Sequence, residues 1–249
     1  MLVGDSFTFG TGGEYEQTYG VLIASALRGV DPVNLAMPGF GIDQMWMTVR
    51  HYALPLRPAL IIVGFIDDDF DRSLTAYSDV GFNKPTFVLD HDRLRPATAR
   101  DHPGSVVSAL ERHSALWTGV RVALRRLAYR VPLGEWWRLN RDILDRLRTD
   151  CQRSGVPVVF VRIPSQRSRP RFEVLHRHMQ RVGAQFLDLA DPAAAPGPEV
   201  FFPLDGHINA RGHSYVADQV LQWIRTALPS LVTGRAPGHP PAGDGTPIR

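Results

Sequence analysis

The sequence predicts an α/β domain built on a mostly parallel sheet with helices on both faces, and three observations carry that expectation. Apolar strand-like runs alternate with amphipathic helical segments, the pattern of parallel strands joined by helical crossovers. Two of the runs, 59–65 (ALIIVGF) and 157–163 (PVVFVRI), are apolar nearly throughout, as suits strands covered on both faces. The chain has 249 residues, 44% of them hydrophobic and 21% charged, which suits one large domain that buries a core. Right-handed crossovers then place helices on both sides of the sheet.

The elements follow in order. Leu2-Val3 is a strand stub that runs into a Gly4-Asp5-Ser6 turn. Residues 17–28 carry Tyr19, Leu22, Ile23 and Leu27 at helical spacing, and residues 32–36 form a short apolar strand. Residues 43–54 read as a helix with Asp43 as N-cap. Strand 59–65 comes next.

Residues 73–133 break this rhythm. Val88 to Leu94 reads as a small hairpin with Asp90-His91-Asp92 at its turn, and residues 104–130 and 134–154 read as helical. This stretch is expected to be an insertion beside the active-site edge of the sheet, either a lid or simple packing. The regular pattern resumes with strand 157–163, where Pro157 takes the first position that tolerates proline. Helix 170–182, a short strand 185–189 and a last helix from Ala210 to about Leu228 complete it. The expected organisation is one domain over residues 1–232 with an insertion at about 73–133, followed by a disordered Gly- and Pro-rich tail at 233–249.

Composition excludes several classes. The single cysteine, Cys151, rules out an intrachain disulfide and a cysteine-based metal site. No apolar run reaches the roughly eighteen residues that cross a bilayer, so no membrane span is expected. No signal peptide opens the chain, which makes the cytoplasm the default location. Only Met1-Leu2-Val3 precedes Gly4, whereas a buried strand normally runs to about five residues; the start is therefore in question and localisation stays open. Net charge is +3, and Lys84 is the only lysine beside an arginine-rich basic complement. Arg121, Arg125, Arg126 and Arg130 cluster but interleave with Val122, Leu124 and Leu127. That reads as a solvated helix face rather than a nucleic-acid stripe, so no nucleic-acid partner is expected.

The chemistry is concentrated at the two ends. Gly4-Asp5-Ser6-Phe7-Thr8-Phe9-Gly10 opens the chain, and Asp205-Gly206-His207 stands near its other end. A serine hydroxyl is a poor nucleophile at neutral pH unless a base takes its proton. An imidazole base needs a carboxylate to fix its tautomer and stabilise the imidazolium. Ser6, His207 and Asp205 fit these roles of nucleophile, base and orienting acid. A serine at the end of the first strand lies on the carboxyl edge of the sheet, where open α/β sheets bind ligands. The turn and following helix offer the Ser6 amide to a developing oxyanion.

These residues resemble the SGNH (GDSL-type) hydrolase family. Gly4-Asp5-Ser6-Phe7 matches its first block, and Asn34-Leu35-Ala36-Met37-Pro38-Gly39 resembles its second. Asp205-Gly206-His207-Ile208-Asn209, with Gly212-His213, matches its last. The resemblance implies a flavodoxin-like three-layer α/β/α sandwich that hydrolyses esters through an acyl-enzyme. It makes Ser6, Asp205 and His207 the catalytic residues and gives the oxyanion hole the backbone amides of Ser6 and Gly39. A glycine lets a substrate oxygen approach the backbone closely.

The third block departs from the family. Its Gly-x-Asn-Asp would follow the strand at 59–65, where this chain has Ile66-Asp67-Asp68-Asp69. Asp68 takes the place of the asparagine whose side-chain amide completes the oxyanion hole. An ionised carboxylate cannot donate a hydrogen bond, whereas a protonated one can, and neighbouring aspartates favour at least one raised pKa. Three readings stand: a protonated Asp68 donor, a hole made by the Ser6 and Gly39 amides alone, or an acidic cluster that binds a cation or pairs with Arg72. Pairing with arginine is expected for Asp69 or Asp71. No histidine flanks the cluster, so no metal site and no cofactor are expected. His213 reads as a packing or capping residue, and His51, His102, His113, His176 and His178 as surface residues.

The expected function is that of a serine esterase or acyl-hydrolase on a small acyl or carbohydrate O-acyl ester. The same three residues would serve an O-acyltransferase with a sugar acceptor. A catalytically weakened binding module, favoured by Asp68, is the remaining alternative.

Overall fold

Six strands occur among the described residues of the computed structural model, which are 1–75, 84–91, 93–98, 133–166 and 172–233. They are β1 (Leu2–Gly4), β2 (Ile61–Phe65), β3 (Phe87–Asp90), β4 (Arg93–Pro96), β5 (Val158–Arg162) and β6 (Phe186–Asp188). Four of them form a parallel sheet in the order β1-β2-β5-β6. The helices are α1 (Ser6–Phe9), α2 (Tyr19–Ala26), α3 (Ile42–Thr48), α4 (Asp67–Arg72), α5 (Leu133–Arg153), α6 (Glu173–Arg181), α7 (Ala210–Ala227) and α8 (Pro229–Val232).

Side chains alternate across a strand, and each strand feeds two cores. Val3, Ile61, Val63, Phe65 and Phe160 point into a core made with α3, α5 and α6, through Met45, Trp46, Ile143, Leu147 and Leu175. Leu2, Ile62, Val159 and Val161 point the other way, onto Ile23 of α2 and Val216, Val220 and Ile224 of α7. The result is a three-layer α/β/α sandwich, as the unbroken apolar runs predict. No helix of the described residues is long and apolar enough to cross a membrane.

The sequence expectations shift in three places. Residues 32–36 make only one parallel bridge, Asn34 to Leu2. The Asn34 side chain takes the Ala36 amide and donates to the Thr8 carbonyl, both at 3.0 Å. Such local bonding competes with a ladder, and the chain bends away toward Gly39. Asp43 is not the N-cap of α3; Gly41 is, with its amide held by Gln44 Oε1 at 3.2 Å. Asp43 lies inside the first turn, fully buried, and accepts from Lys84 Nζ at 2.6 Å. Burial pushes its carboxyl pKa up, and Lys84 opposes that. The helical path then continues through a π turn, Val49–Ala53, and a 3-10 turn, Leu54–Leu56.

The expected hairpin is present as antiparallel β3 and β4, with Phe87 opposite Pro96. Phe87 packs on Trp46 at a ring separation of 5.0 Å, so this part of the insertion rests on the α3–α5 layer. Residues 76–83, 92 and 99–132 of the insertion, with the arginine cluster at 121–130, His102 and His113, and the tail beyond 233 fall outside the described residues.

Candidate active site

The parallel order brings the carboxyl ends of three neighbouring segments together. β1 leads into Ser6, the Asn34 bridge leads into Gly39, and β2 leads into α4. Asp5 caps α1 by accepting the Phe7 amide at 3.0 Å, which fixes Ser6 as the first helical residue, 7% exposed. Close approach explains Gly4: a β-carbon there would collide with Thr8 Oγ1 and the Gly64 carbonyl. Thr8 in turn donates to the Gly64 carbonyl at 3.2 Å and accepts from the buried Tyr19 hydroxyl at 3.0 Å. Small residues at Gly4 and Gly64 thus let α1 sit directly on the strand ends.

His207 arrives from the far end of the chain. A tight loop holds it: the Phe202 amide donates to the His207 carbonyl at 2.8 Å, and Gly206 turns with φ of +77°. Asn209 closes the loop by capping α7 through the Arg211 and Gly212 amides. Nε2 of His207 lies 2.8 Å from Ser6 Oγ across 201 residues of sequence. The Phe7 ring packs beside the imidazole at 4.9 Å. Asp205 Oδ1 accepts the His207 backbone amide at 2.9 Å, and its Oδ2 lies 3.4 Å from Nδ1. That last separation is an ion-pair distance, but its direction makes no hydrogen bond, and buried Nδ1 has no other partner among the described residues.

Gly39 occupies the third position of a turn in which the Phe40 amide donates to the Met37 carbonyl at 3.2 Å, with φ of +80°. Pro38 followed by a glycine at positive φ is the signature of a type II turn, so the glycine is required by the backbone as well as by access. The Met37 amide bonds the Gly4 carbonyl at 3.1 Å, which fastens this turn to the end of β1.

Solved structures similar to this chain at low sequence identity include lipolytic proteins of the G-D-S-L family and an acetylxylan esterase. A putative lipolytic protein of the G-D-S-L family from Desulfitobacterium hafniense superposes with a TM-score of 0.52 at 11% identity, over 89% of this chain and 96% of that one. A G-D-S-L family lipolytic protein from Veillonella parvula gives 0.52 at 13%, over 90% and 97%. An acetylxylan esterase from Geobacillus stearothermophilus gives 0.51 at 13%, over 90% and 92%. The chain has the SGNH-hydrolase fold. No family model and no curated protein matches it by sequence.

Within the SGNH fold, the departure at the third block has a clear physical setting. Asp67 accepts a two-pronged bond from Arg162, at 2.7 and 2.9 Å, and Arg162 also reaches Asp188 at 3.2 Å while lying over the Phe172 ring. Asp69 takes the Ile66 amide at 2.9 Å and pairs with Arg72. Asp71 accepts from Trp136 Nε1 at 2.9 Å. Asp68 is the half-buried member of the first turn, between the two buried ones. The carboxyl with a strongly raised pKa is Asp69, through burial and the nearby Asp5 charge, against the pull of Arg72.

The histidine expectations divide. His51 is exposed, and His176 is half-buried, with its side chain 42% exposed. His178 is buried, contrary to expectation, and bonded to Asp145 and Arg181 at 2.8 Å each, because α6 turns that face inward. His213 is buried and accepts the Tyr19 amide at 3.3 Å, a packing and capping role.

The sequence reading missed two arginines that shape this edge, Arg72 as a partner of Asp5 and Arg162 as a partner of Asp67. Arg162 left a usable signal: it is the one charge in an otherwise apolar strand, and a charge buried there must be paired.

Proposed function

We propose that this chain is a serine esterase or acyl-hydrolase that cleaves a small acyl or carbohydrate O-acyl ester through an acyl-enzyme. The observation that carries the reading is the 2.8 Å contact between His207 Nε2 and Ser6 Oγ, made between residues at opposite ends of the sequence on the edge where parallel sheets bind ligands. His207 takes the Ser6 proton as Oγ attacks the acyl carbon. Asp205, with Oδ2 3.4 Å from Nδ1, stabilises the imidazolium by its charge. The imidazolium then protonates the departing alcohol, and water repeats the sequence on the acyl-enzyme to release the acid.

The oxyanion falls to the backbone amides of Ser6 and Gly39. Asp68 stands where the family places a neutral amide donor; as a carboxylate it weakens the hole, and as an acid it donates to it. No metal or cofactor is required by this scheme. The fold of an acetylxylan esterase supports the carbohydrate O-acyl part of the reading. Turnover of 4-nitrophenyl acetate tests it. Ser6→Ala keeps the fold and loses turnover, and an active Ser6→Ala protein overturns the proposal.

A further inference from the structure

Arg72 ends α4, one helical turn beyond Asp68, with its side chain 16% exposed. Its Nη1 reaches three separate segments of the active-site edge. It donates to Asp5 Oδ2 at 3.1 Å and to the Phe40 carbonyl at 3.4 Å, and it pairs with Asp69. Asp5 immediately precedes the nucleophile, and its Oδ2 also lies 3.4 Å from Ser6 Oγ. Phe40 immediately follows Gly39. Asp69 fixes the first turn of α4 through the Ile66 amide. One guanidinium therefore touches each of the three segments that deliver Ser6, Gly39 and Asp68.

We propose that Arg72 is a positioning residue that locks the Ser6 elbow, the Gly39 turn and the start of α4 into one oxyanion-binding geometry. This rests on the reading of Ser6 as nucleophile. A planar, permanently charged guanidinium suits the task, because its rigid plane holds Nη1 at a fixed place among the three acceptors, as the flexible stem of a lysine ammonium does not. The approach of the turn to α4 is close: a β-carbon at Gly41 would meet the Ser73 nitrogen at 2.9 Å and the Arg72 carbonyl carbon at 3.1 Å. A shift of the turn that follows loss of the Arg72 fork moves the Gly39 amide with it. A misplacement near 1 Å typically costs about a hundredfold in rate.

The experiment compares wild type, Arg72→Lys and Arg72→Ala by 4-nitrophenyl acetate kinetics and by the rate of Ser6 labelling with a fluorophosphonate. Arg72→Ala is expected to lose about a hundredfold in kcat with little change in KM. Guanidinium at tens of millimolar restores at least tenfold of that, while equal urea does not. A folded Arg72→Ala protein with kcat within threefold of wild type overturns the proposal, as does an identical response to guanidinium and urea. If Arg72→Ala does not fold, Arg72→Lys decides, since it keeps the charge beside Asp5 and Asp69 and loses the rigid plane that places Nη1. The same fall in kcat supports the proposal, and wild-type kcat overturns it. If wild type itself shows neither turnover nor labelling, the esterase reading is what fails. The clamp is then read from hydrogen exchange of the 37–41 amides, where faster exchange in Arg72→Lys supports it and equal exchange overturns it.

Discussion

The two ends of the sheet are made of different materials. At the carboxyl end, Asp5, Asp67, Asp69 and Asp188 interleave with Arg72 and Arg162, and Ser6 meets His207 above them. At the amino end, around Met1, Leu2, Ile23, Leu60 and Ile224, the strands open into a largely apolar cavity of about 260 Å³. Buried ion pairs contribute little net stability, because desolvation offsets their attraction; apolar burial stabilises at about 25 cal/mol per Å². The two apolar cores therefore hold the sheet together along its length, and the carboxyl end adds charges whose value lies in where they hold the backbone. The apolar cavity lies at the opposite end of the sheet from the Ser6–His207 contact.

The sharpest way to break this division is to delete the nucleophile or the base. Ser6→Ala and His207→Ala should each lower kcat by about a millionfold, the scale on which a serine nucleophile or its histidine fails. Thermal unfolding of either variant should stay close to wild type. A variant that loses its fold along with its activity would show that the edge is structural.

The next largest effect belongs to the amino end. Ile224 is fully buried against the sheet from α7, and Ile224→Ala should cost about 3 kcal/mol in urea unfolding through lost contacts and the cavity left behind. Its kcat/KM should remain within twofold of wild type at temperatures where it is folded. A drop in kcat at full folding would contradict the separation of roles.

A third prediction returns to the carboxyl end and concerns Asp68. Restoring a side-chain amide with Asp68→Asn adds a donor that a carboxylate lacks. One such donor is typically worth about a hundredfold or more in kcat, and a gain of that order is expected in the nitrophenyl acetate assay. An unchanged rate would mean that this side chain does not face the transition state, and that the Ser6 and Gly39 amides suffice.

How much of this was legible beforehand differs between the same two ends. Strand and helix order follow from local periodicity, which the apolar runs 59–65 and 157–163 display without help from partners. The meeting of Ser6 and His207 was legible because fixed motifs carry both, whatever the distance between them. The charged scaffold below was not. Arg72 reaches Asp5 across 67 positions and Arg162 reaches Asp67 across 95, and no local pattern encodes such a pairing. Asp43 shows the opposite error: an acidic residue at the start of an apolar periodicity reads as a cap, yet a lysine 41 residues on draws it into the interior. The short strand expected at 32–36 failed because one asparagine bonds its own neighbourhood.

The smallest expected effect joins the two ends through His213, on the face of α7 turned to the sheet. Burial lowers its pKa from 6.5 to about 4, and it accepts the Tyr19 amide through Nδ1 in the neutral form. Above pH 6.5 neither the folded nor the unfolded imidazole is charged, and the group leaves stability independent of pH. As pH falls below 6.5 the unfolded state takes up a proton that the folded state refuses, so unfolding is favoured until the folded pKa near 4 is passed. At pH 5 the loss amounts to about 2 kcal/mol relative to pH 7.5. His213→Gln, which cannot titrate, should remove that part of the acid destabilisation while leaving the contribution of the carboxylates. The difference between the two melting-temperature profiles over pH 7.5 to 4.5 isolates it. Parallel profiles would mean that His213 is not held neutral by its burial.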